Sequence, residues 1–257
     1  MSANKDVEQI NAHSGRSIRE IEHGKRLAES DPENIWGWGT QAGKKRAERR
    51  GAQIISAANI TADQKTLEIG CGTGIFTEIF SRTGAEIIAV DISPELISMA
   101  ENRRMASSKV QFLCVRFEDY EADELFDTVV GSSVLHHIEL DSALKNIFRL
   151  LKPGGRIVFA EPNFLNPQVF AMMTFLRNFL SGVSHDETAF IRWSLSKTLM
   201  EIGFEEIRIT PTGWLHPYTP AKLINIVSKV EFLLERIPLI NEFSGSLLIK
   251  AKKPLEE

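Results

Sequence analysis

The sequence predicts an α/β fold built on a doubly wound, mostly parallel sheet. Three observations point there. Short, almost wholly apolar runs suit strands buried on both faces. Helical patterns alternate with them at the spacing of right-handed crossovers. A glycine-rich turn joins the first such run to the first such helix. In chain order the strand-like runs fall at 66–70, 86–91, 110–115, 127–132 and 156–161, with helices expected at 75–82, 94–104 and 141–151. Ser93 can cap the second helix, and Pro94 sits in its first turn, where a missing N–H costs nothing. Lys152-Pro153-Gly154-Gly155 ends the third helix and turns the chain into the next strand. A helix at 194–202 stops at Gly203, and runs at 205–210 and 246–251 bring the strands to seven, the last two as an antiparallel pair.

The first 60 residues have helical patterning, broken at Gly24 and at the Asp31-Pro32 step. They contain Trp36-Gly37-Trp38 and the cationic run Lys44, Lys45, Arg46, Arg49, Arg50. The expected organisation is an N-terminal helical appendage at 1–60 packed over a main domain at 61–257, with insertions at 164–192 and 211–244.

Composition narrows the function classes. A chain of 257 residues with 43% hydrophobic and 25% charged side chains is neither disordered nor fibrous. Its net charge of −4 does not attract a polyanion, and the cationic run lacks the aromatic interleaving of an RNA platform, so no nucleic-acid partner is expected. Two cysteines, Cys71 and Cys114, cannot build a disulfide framework or a four-cysteine metal site. Residues 1–15 are polar, so no signal peptide is visible, and no apolar run reaches the roughly 18 residues of a spanning helix. The nearest, 164–183, is interrupted by Pro167, Gln168, Arg177 and Asn178. A cytoplasmic protein is the simplest expectation.

The chemistry is carried by Leu67-Glu68-Ile69-Gly70-Cys71-Gly72-Thr73-Gly74, which follows a strand and opens a helix. Glycine allows the sharp turn and the close backbone approach that a bound ligand needs. Asp91 stands 21 residues after Gly70, at the end of the next strand, where a carboxylate can accept from two ribose hydroxyls. A dinucleotide fingerprint leaves two residues between its second and third glycines; here Thr73 alone separates Gly72 from Gly74. That spacing disfavours a nicotinamide oxidoreductase. A tight turn with no ligand is the plainer alternative.

With the acidic residue two before Gly70, this stretch resembles motif I of the class I S-adenosylmethionine-dependent methyltransferases, of the small-molecule type. Val90-Asp91-Ile92-Ser93 resembles the family's ribose-binding acidic motif. Phe126-Asp127-Thr128-Val129-Val130 with Ser132-Ser133-Val134-Leu135-His136-His137-Ile138 resembles its fourth-strand motif, and Leu150-Leu151-Lys152-Pro153-Gly154-Gly155-Arg156-Ile157 the turn before strand five. The likeness is tight over residues 66–161 and looser beyond. It implies a Rossmann-like, seven-stranded sheet with an antiparallel last strand, an N-terminal helical lid and two helical insertions. It also implies S-adenosylmethionine as methyl donor, S-adenosylhomocysteine as product, and neither a metal nor a covalent enzyme intermediate. On this resemblance the cofactor residues are Glu68, Gly70, Cys71, Gly72, Gly74, Asp91, Ile92 and Ser133, with Arg46 reaching the methionine carboxylate. One departure stands out: Arg116 occupies the position of the family's Asp near the adenine. Phe117 and Glu118 are then the adenine-edge candidates, unless Phe117 is simply a core aromatic.

Methyl transfer from a sulfonium is an in-line displacement, and most of its acceleration can come from positioning in a water-poor site. A base is needed only for a protonated acceptor. His137 after the fourth strand, Glu161 at the end of the fifth and His216 in the second insertion are the base candidates; His136 and His137 can equally cap the turn they occupy. His185, Arg192, Trp214 and Tyr218 belong to the same edge. In the first insertion Val169, Met172, Met173, Leu176, Phe179, Leu180 and Val183 form a helical stripe with Phe170 and Phe175 off it; in the second, Leu223, Ile226, Val227, Val230, Leu233, Leu234 and Ile237 recur at helical spacing. Both stripes either pack against the sheet domain or form a lid for an apolar acceptor or a peripheral membrane contact. The resulting expectation is methyl transfer to a small acceptor, hydrophobic or lipid-linked, with a non-catalytic S-adenosylmethionine-binding scaffold as the alternative.

Overall fold

The computed structural model describes residues 15–176 and 189–255. Strands β1 (Lys65–Ile69), β2 (Glu86–Asp91), β3 (Val110–Cys114), β4 (Phe126–Ser132), β5 (Leu151–Pro162), β6 (Glu205–Thr212) and β7 (Ser246–Lys252) form one sheet in the order β3-β2-β1-β4-β5-β7-β6. The first five pair in parallel, and β7 runs antiparallel to both β5 and β6. The chain leaves β1 toward β2 and β3, then crosses back to β4 on the other side. A crevice opens at such a reversal, outside the carboxyl ends of the strands.

The near-continuous apolar runs are explained by burial on both faces. Val129, Ile157 and Phe159 point into one core, while their neighbours Val130, Val158 and Ala160 point into the other. Helices α6 (Leu140–Leu150) and α8 (Arg192–Ile202) supply Leu144, Ile147, Leu195 and Leu199 to the first core. The second is closed by α4 (Ile75–Ser81), α5 (Pro94–Glu101) and α3 (Gln41–Ala58), through Phe76, Phe80, Ile97 and Ile54. Ser93 caps α5 as expected, accepting from Leu96 N at 3.3 Å. That helix ends at Glu101, short of 104, and Arg103 turns its guanidinium to Glu33, Glu78 and the Thr73 carbonyl. β5 begins earlier than expected: Leu151 pairs with Phe126, and the Gly154 turn bulges before pairing resumes between Arg156 and Thr128.

One expectation fails here. Gly24 does not break its helix; α1 (Gly15–Ala28) runs straight through it. The glycine is there for approach, since a Cβ would lie 2.6 Å from Ser93 Oγ. The Asp31 step does break the chain, and Asp31 caps α2 (Pro32–Ile35) by accepting from Asn34 N at 3.0 Å. Of the two alternatives for the stripe of the second insertion, packing holds for only part of it. The helix α9 (Ile224–Leu234) forms, followed by α10 (Pro238–Asn241), but Leu223, Ile226, Val230, Leu233 and Ile237 face outward. The buried positions are Ile224, Ser228 and Glu231: α9 is docked by the ion pairs of Arg49 and by Ile224 and Val227, which pack with Ala42 and Leu215. In the first insertion α7 (Pro167–Ala171) continues as a wider turn over Met172–Leu176. Met173 is buried there, while Phe179, Leu180, Val183, His185 and the side chain of Leu176 lie outside the described residues. No described helix is long and apolar enough to cross a membrane.

Phe159 is fully buried where β5 meets the first core. Phe159→Ala is expected to cost about 3–5 kcal/mol of folding stability, the usual range for such a truncation, read from chemical denaturation with the slope unchanged.

Candidate active site

The carboxyl ends of β1, β2 and β4, with α1 to α3 laid over them, enclose a cavity of about 1420 Å³. Its floor is the turn after β1. Gly70 N and Cys71 N both donate to the Val90 carbonyl, at 2.8 and 3.1 Å, and Gly72 N donates to Asp91 Oδ2 at 2.8 Å. Gly70 and Gly72 sit at φ of +68° and +53°, a region in which a side chain is strained. The Trp36 ring stands directly above Gly72, 3.4 Å from the place a Cβ would occupy. Asp91 also accepts from Ser93 N at 2.9 Å. Burial pushes the Asp91 carboxyl up, against the pull of these backbone donors and the nearby His137.

Across the cavity, Arg50 of α3 donates to Ser132 Oγ (3.1 Å), Ser133 Oγ (3.2 Å) and Ser246 Oγ (2.6 Å). Ser133 holds φ of +57°, so the end of β4 is strained where these hydroxyls meet the arginine. Burial, reinforced by the charge of Arg46, lowers the Arg50 guanidinium to about 9. Arg46, one helical turn earlier, is lowered to about 10 by burial, and both guanidiniums stand about 5 Å from the Trp38 ring. Arg49 points away from the cavity floor and pairs with Glu231 at 2.8 Å and Glu235 at 2.5 Å. Within the cationic run the three arginines are turned inward, while Lys44 and Lys45 are exposed.

Gly70, Cys71, Gly72, Asp91, Ile92, Phe117, Glu118, Ser133, Arg46, His137 and His216 all line the cavity. Phe117 lines the cavity and also belongs to the first core. Arg116 bonds to Asp119 at 2.6 and 2.5 Å, which occupies its guanidinium at the rim. Glu68, Gly74 and Glu161 are not on the wall. Glu68 is buried beneath the turn, where burial, with some help from the charge of Asp91, pushes its carboxyl up to about 8. Gly74 starts α4 and packs on Ala100. Glu161 is fully buried: one oxygen accepts from Val134 N and Leu135 N, both at 2.9 Å, and the other lies 2.6 Å from His136 Nδ1. It positions the turn after β4 and does not reach an acceptor.

His137 Nδ1 lies 3.2 Å from Glu20 Oε2 of α1. His216 Nδ1 accepts from Tyr218 N at 3.2 Å, and its Nε2 lies 2.8 Å from Gln168 Nε2. Burial, with the charge of Arg46, pushes the His216 imidazole down, and both of its ring nitrogens have neighbours within hydrogen-bond distance. Sequence reading missed Arg50, Trp36 and Glu20. The signal for Arg50 was the run of small residues Ala47, Gly51 and Ala58 on α3, which marks the helix side that packs inward beside it.

A model of the methyltransferase domain matches residues 67–159. The ubiquinone biosynthesis O-methyltransferase of Methylococcus capsulatus is 30% identical over 182 residues, covering 64% of this chain and 75% of that protein. The chain belongs to this family. It is an S-adenosylmethionine-dependent methyltransferase. Other relatives match over less: the ubiquinone biosynthesis O-methyltransferase of Xanthomonas oryzae is 34% identical over 122 residues, 51% of its length. The nodulation protein S of Rhizobium tropici is 30% identical over 112 residues, 47% of its length. The crystal structure of the N-methyltransferase NodS of Bradyrhizobium japonicum with S-adenosylhomocysteine superposes with a TM-score of 0.62 at 19% identity, covering 91% of this chain and 98% of that one. At that identity the likeness is one of fold.

The methyltransferase carries a pH-dependent strain in Glu68. In the unfolded chain this carboxyl ionises near 4.5, and in the folded protein near 8, so the native state binds the extra proton between them. Its contribution is fully present below about 4.5 and is lost as pH rises toward about 8. Glu68→Gln stays neutral throughout. Its urea midpoint relative to the native protein should climb across that window and be flat below it; a constant difference would contradict the assignment.

Proposed function

We propose that the protein transfers the methyl group to a small apolar acceptor, with the donor held between Asp91 and Arg50. The observation that supports this most strongly is a buried cation without an ion pair: Arg50 rests on serine hydroxyls, the Glu161 carboxylate acts on it only from a distance, and among the described residues no carboxylate lies within ion-pair distance of it. A buried charge without a partner is costly, and the carboxylate of an amino-acid moiety is a partner of the right kind. This moves the carboxylate role from Arg46 to Arg50. At the other end Asp91 is pinned through both oxygens by backbone donors, each oxygen keeping acceptor capacity for a ribose hydroxyl. The fit is thus one of chemistry at both ends of a glycine turn that admits no side chain.

When bound, S-adenosylmethionine supplies an electrophilic methyl on a sulfonium, displaced in line with a neutral thioether leaving. The chain's own contribution is to orient and to exclude water. Trp36 covers the turn, and α1 brings Glu20 over His137. His137 takes the proton of a hydroxyl or ammonium acceptor, with Glu20 orienting its ring. The acceptor side is walled by Val169, Met172, Met173, Trp214 and Phe232, which supports an apolar acceptor. His216 and Gln168 supply the polar contacts there. Two thiols without disulfides, one of them exposed, support a cytoplasmic location.

Calorimetric titration with S-adenosylhomocysteine tests the proposal. Asp91→Ala and Arg50→Gln should each weaken binding about ten- to hundredfold, the range for losing a charge-assisted bond, with thermal unfolding still cooperative. Arg46→Gln should change it less than threefold or so. Unchanged affinity in Asp91→Ala would remove the ribose assignment, and saturable binding of a nicotinamide dinucleotide would revive the other cofactor class. With a hydroxyl acceptor found by labelled methyl transfer, His137→Ala should lower kcat by about 10²-fold or more with donor affinity kept.

A further inference from the structure

We propose that the outward face of α9 and α10 docks on an anionic lipid bilayer. The inference rests on the proposed apolar acceptor only for its purpose, the delivery of such a molecule; the docking stands on the surface itself. The segment from 221 to 243 is amphipathic in the reverse sense to an ordinary packed helix. Its apolar side chains are turned to solvent: Ile226 and Leu233 are each 59% exposed and Leu239 is 81% exposed. Exposed Phe243 extends the same surface, and its carbonyl accepts from Asn166 Nδ2 at 2.8 Å, which brings α7 and the exposed Phe170 and Phe175 alongside. A contiguous apolar face of this kind marks an interaction surface.

Charge identifies the partner. The segment has three carboxylates and three cations. All three carboxylates are turned inward onto cations of other elements: Glu231 and Glu235 onto Arg49, at 2.8 and 2.5 Å, and Glu242 onto Arg192, at 2.7 Å. Lys222, Lys229 and Arg236 are all exposed and lie together along one flank of the apolar stripe at helical spacing. Among the charges of this segment, those that face outward beside the apolar surface are therefore all positive, on a protein whose net charge is −4. Side chains of this kind seat their stems among acyl chains and their heads among anionic headgroups, the arrangement of a helix lying in the plane of a membrane. The inner side of α9 offers Ser228, Glu231 and Phe232 to the cavity wall, so a single helix separates the bilayer from the acceptor side of the site.

Co-sedimentation with vesicles tests this, using phosphatidylcholine alone and phosphatidylcholine mixed with phosphatidylglycerol, on the full chain. The expected result is binding about tenfold stronger to the anionic vesicles, weakened by salt. Ile226→Glu with Leu233→Glu, and separately Lys229→Glu with Arg236→Glu, should each lower it about tenfold. Met200→Glu, an exposed apolar site on α8, should not. Affinity for S-adenosylhomocysteine should stay the same in all of these variants, which shows that they fold. Absence of vesicle binding, equal binding to both vesicle types, or unchanged binding by the Ile226→Glu/Leu233→Glu variant would overturn the proposal. So would a native dimer that this variant splits into monomers, since the face would then belong to a second copy of the chain. A native protein that binds vesicles and not S-adenosylhomocysteine would strike at the donor site and leave the docking intact.

Discussion

The turn after β1 is fastened to the end of β2 through three successive backbone N–H groups, two on the Val90 carbonyl and one on Asp91. Everything in the site depends on that lacing. It bends the chain back so sharply that positions 70 and 72 must take left-handed backbone angles, and it holds the crevice open between β1 and β4. It also commits the Asp91 carboxylate in space before any ligand arrives, because Gly72 N holds one oxygen and Ser93 N the other. A preorganised acceptor of this kind loses little entropy on binding. The cost is the burial of Glu68 below the turn, where its carboxyl is held protonated near neutral pH.

Helix α3 then sets both the cavity and its surroundings. Its small residues let it lie close on the sheet, which drives Arg46, Arg49 and Arg50 into partly dry surroundings. Breaking a buried ion pair is more damaging than the pair itself is stabilising, so each arginine needs an answer. Arg49 finds it in Glu231 and Glu235, and that pairing decides which side of α9 faces the protein. Arg50 is left on neutral hydroxyls. One helix thus turns Arg50 toward the cavity and, through Arg49, sets the outward turn of an apolar surface about 180 residues later in the chain.

Much of this was legible in the sequence, for local reasons. Parallel strands buried on both faces write themselves as unbroken apolar runs, and 127–132 and 156–161 were found on that basis. The glycine turn and Asp91 were legible because turn geometry is dictated by a few adjacent residues. What was hidden depends on partners distant in the chain. Gly24 reads the same whether it ends a helix or lets it approach Ser93. Arg46 and Arg50 differ by one helical turn, and only the packing of α3 decides which reaches Ser132 and Ser133. The stripe from Leu223 to Ile237 was correctly periodic, yet periodicity says nothing of which side of a helix meets the protein; the ion pairs of Arg49 outweighed the apolar face.

The most direct test of the central claim is a crystal structure of the complex with S-adenosylhomocysteine. The account predicts the ribose hydroxyls on the Asp91 carboxylate and the amino-acid carboxylate on the Arg50 guanidinium, with the nucleoside running over the Gly70–Gly72 turn. A carboxylate held by Arg46 with Arg50 still on its serines, or a nucleoside seated away from Asp91, would contradict it.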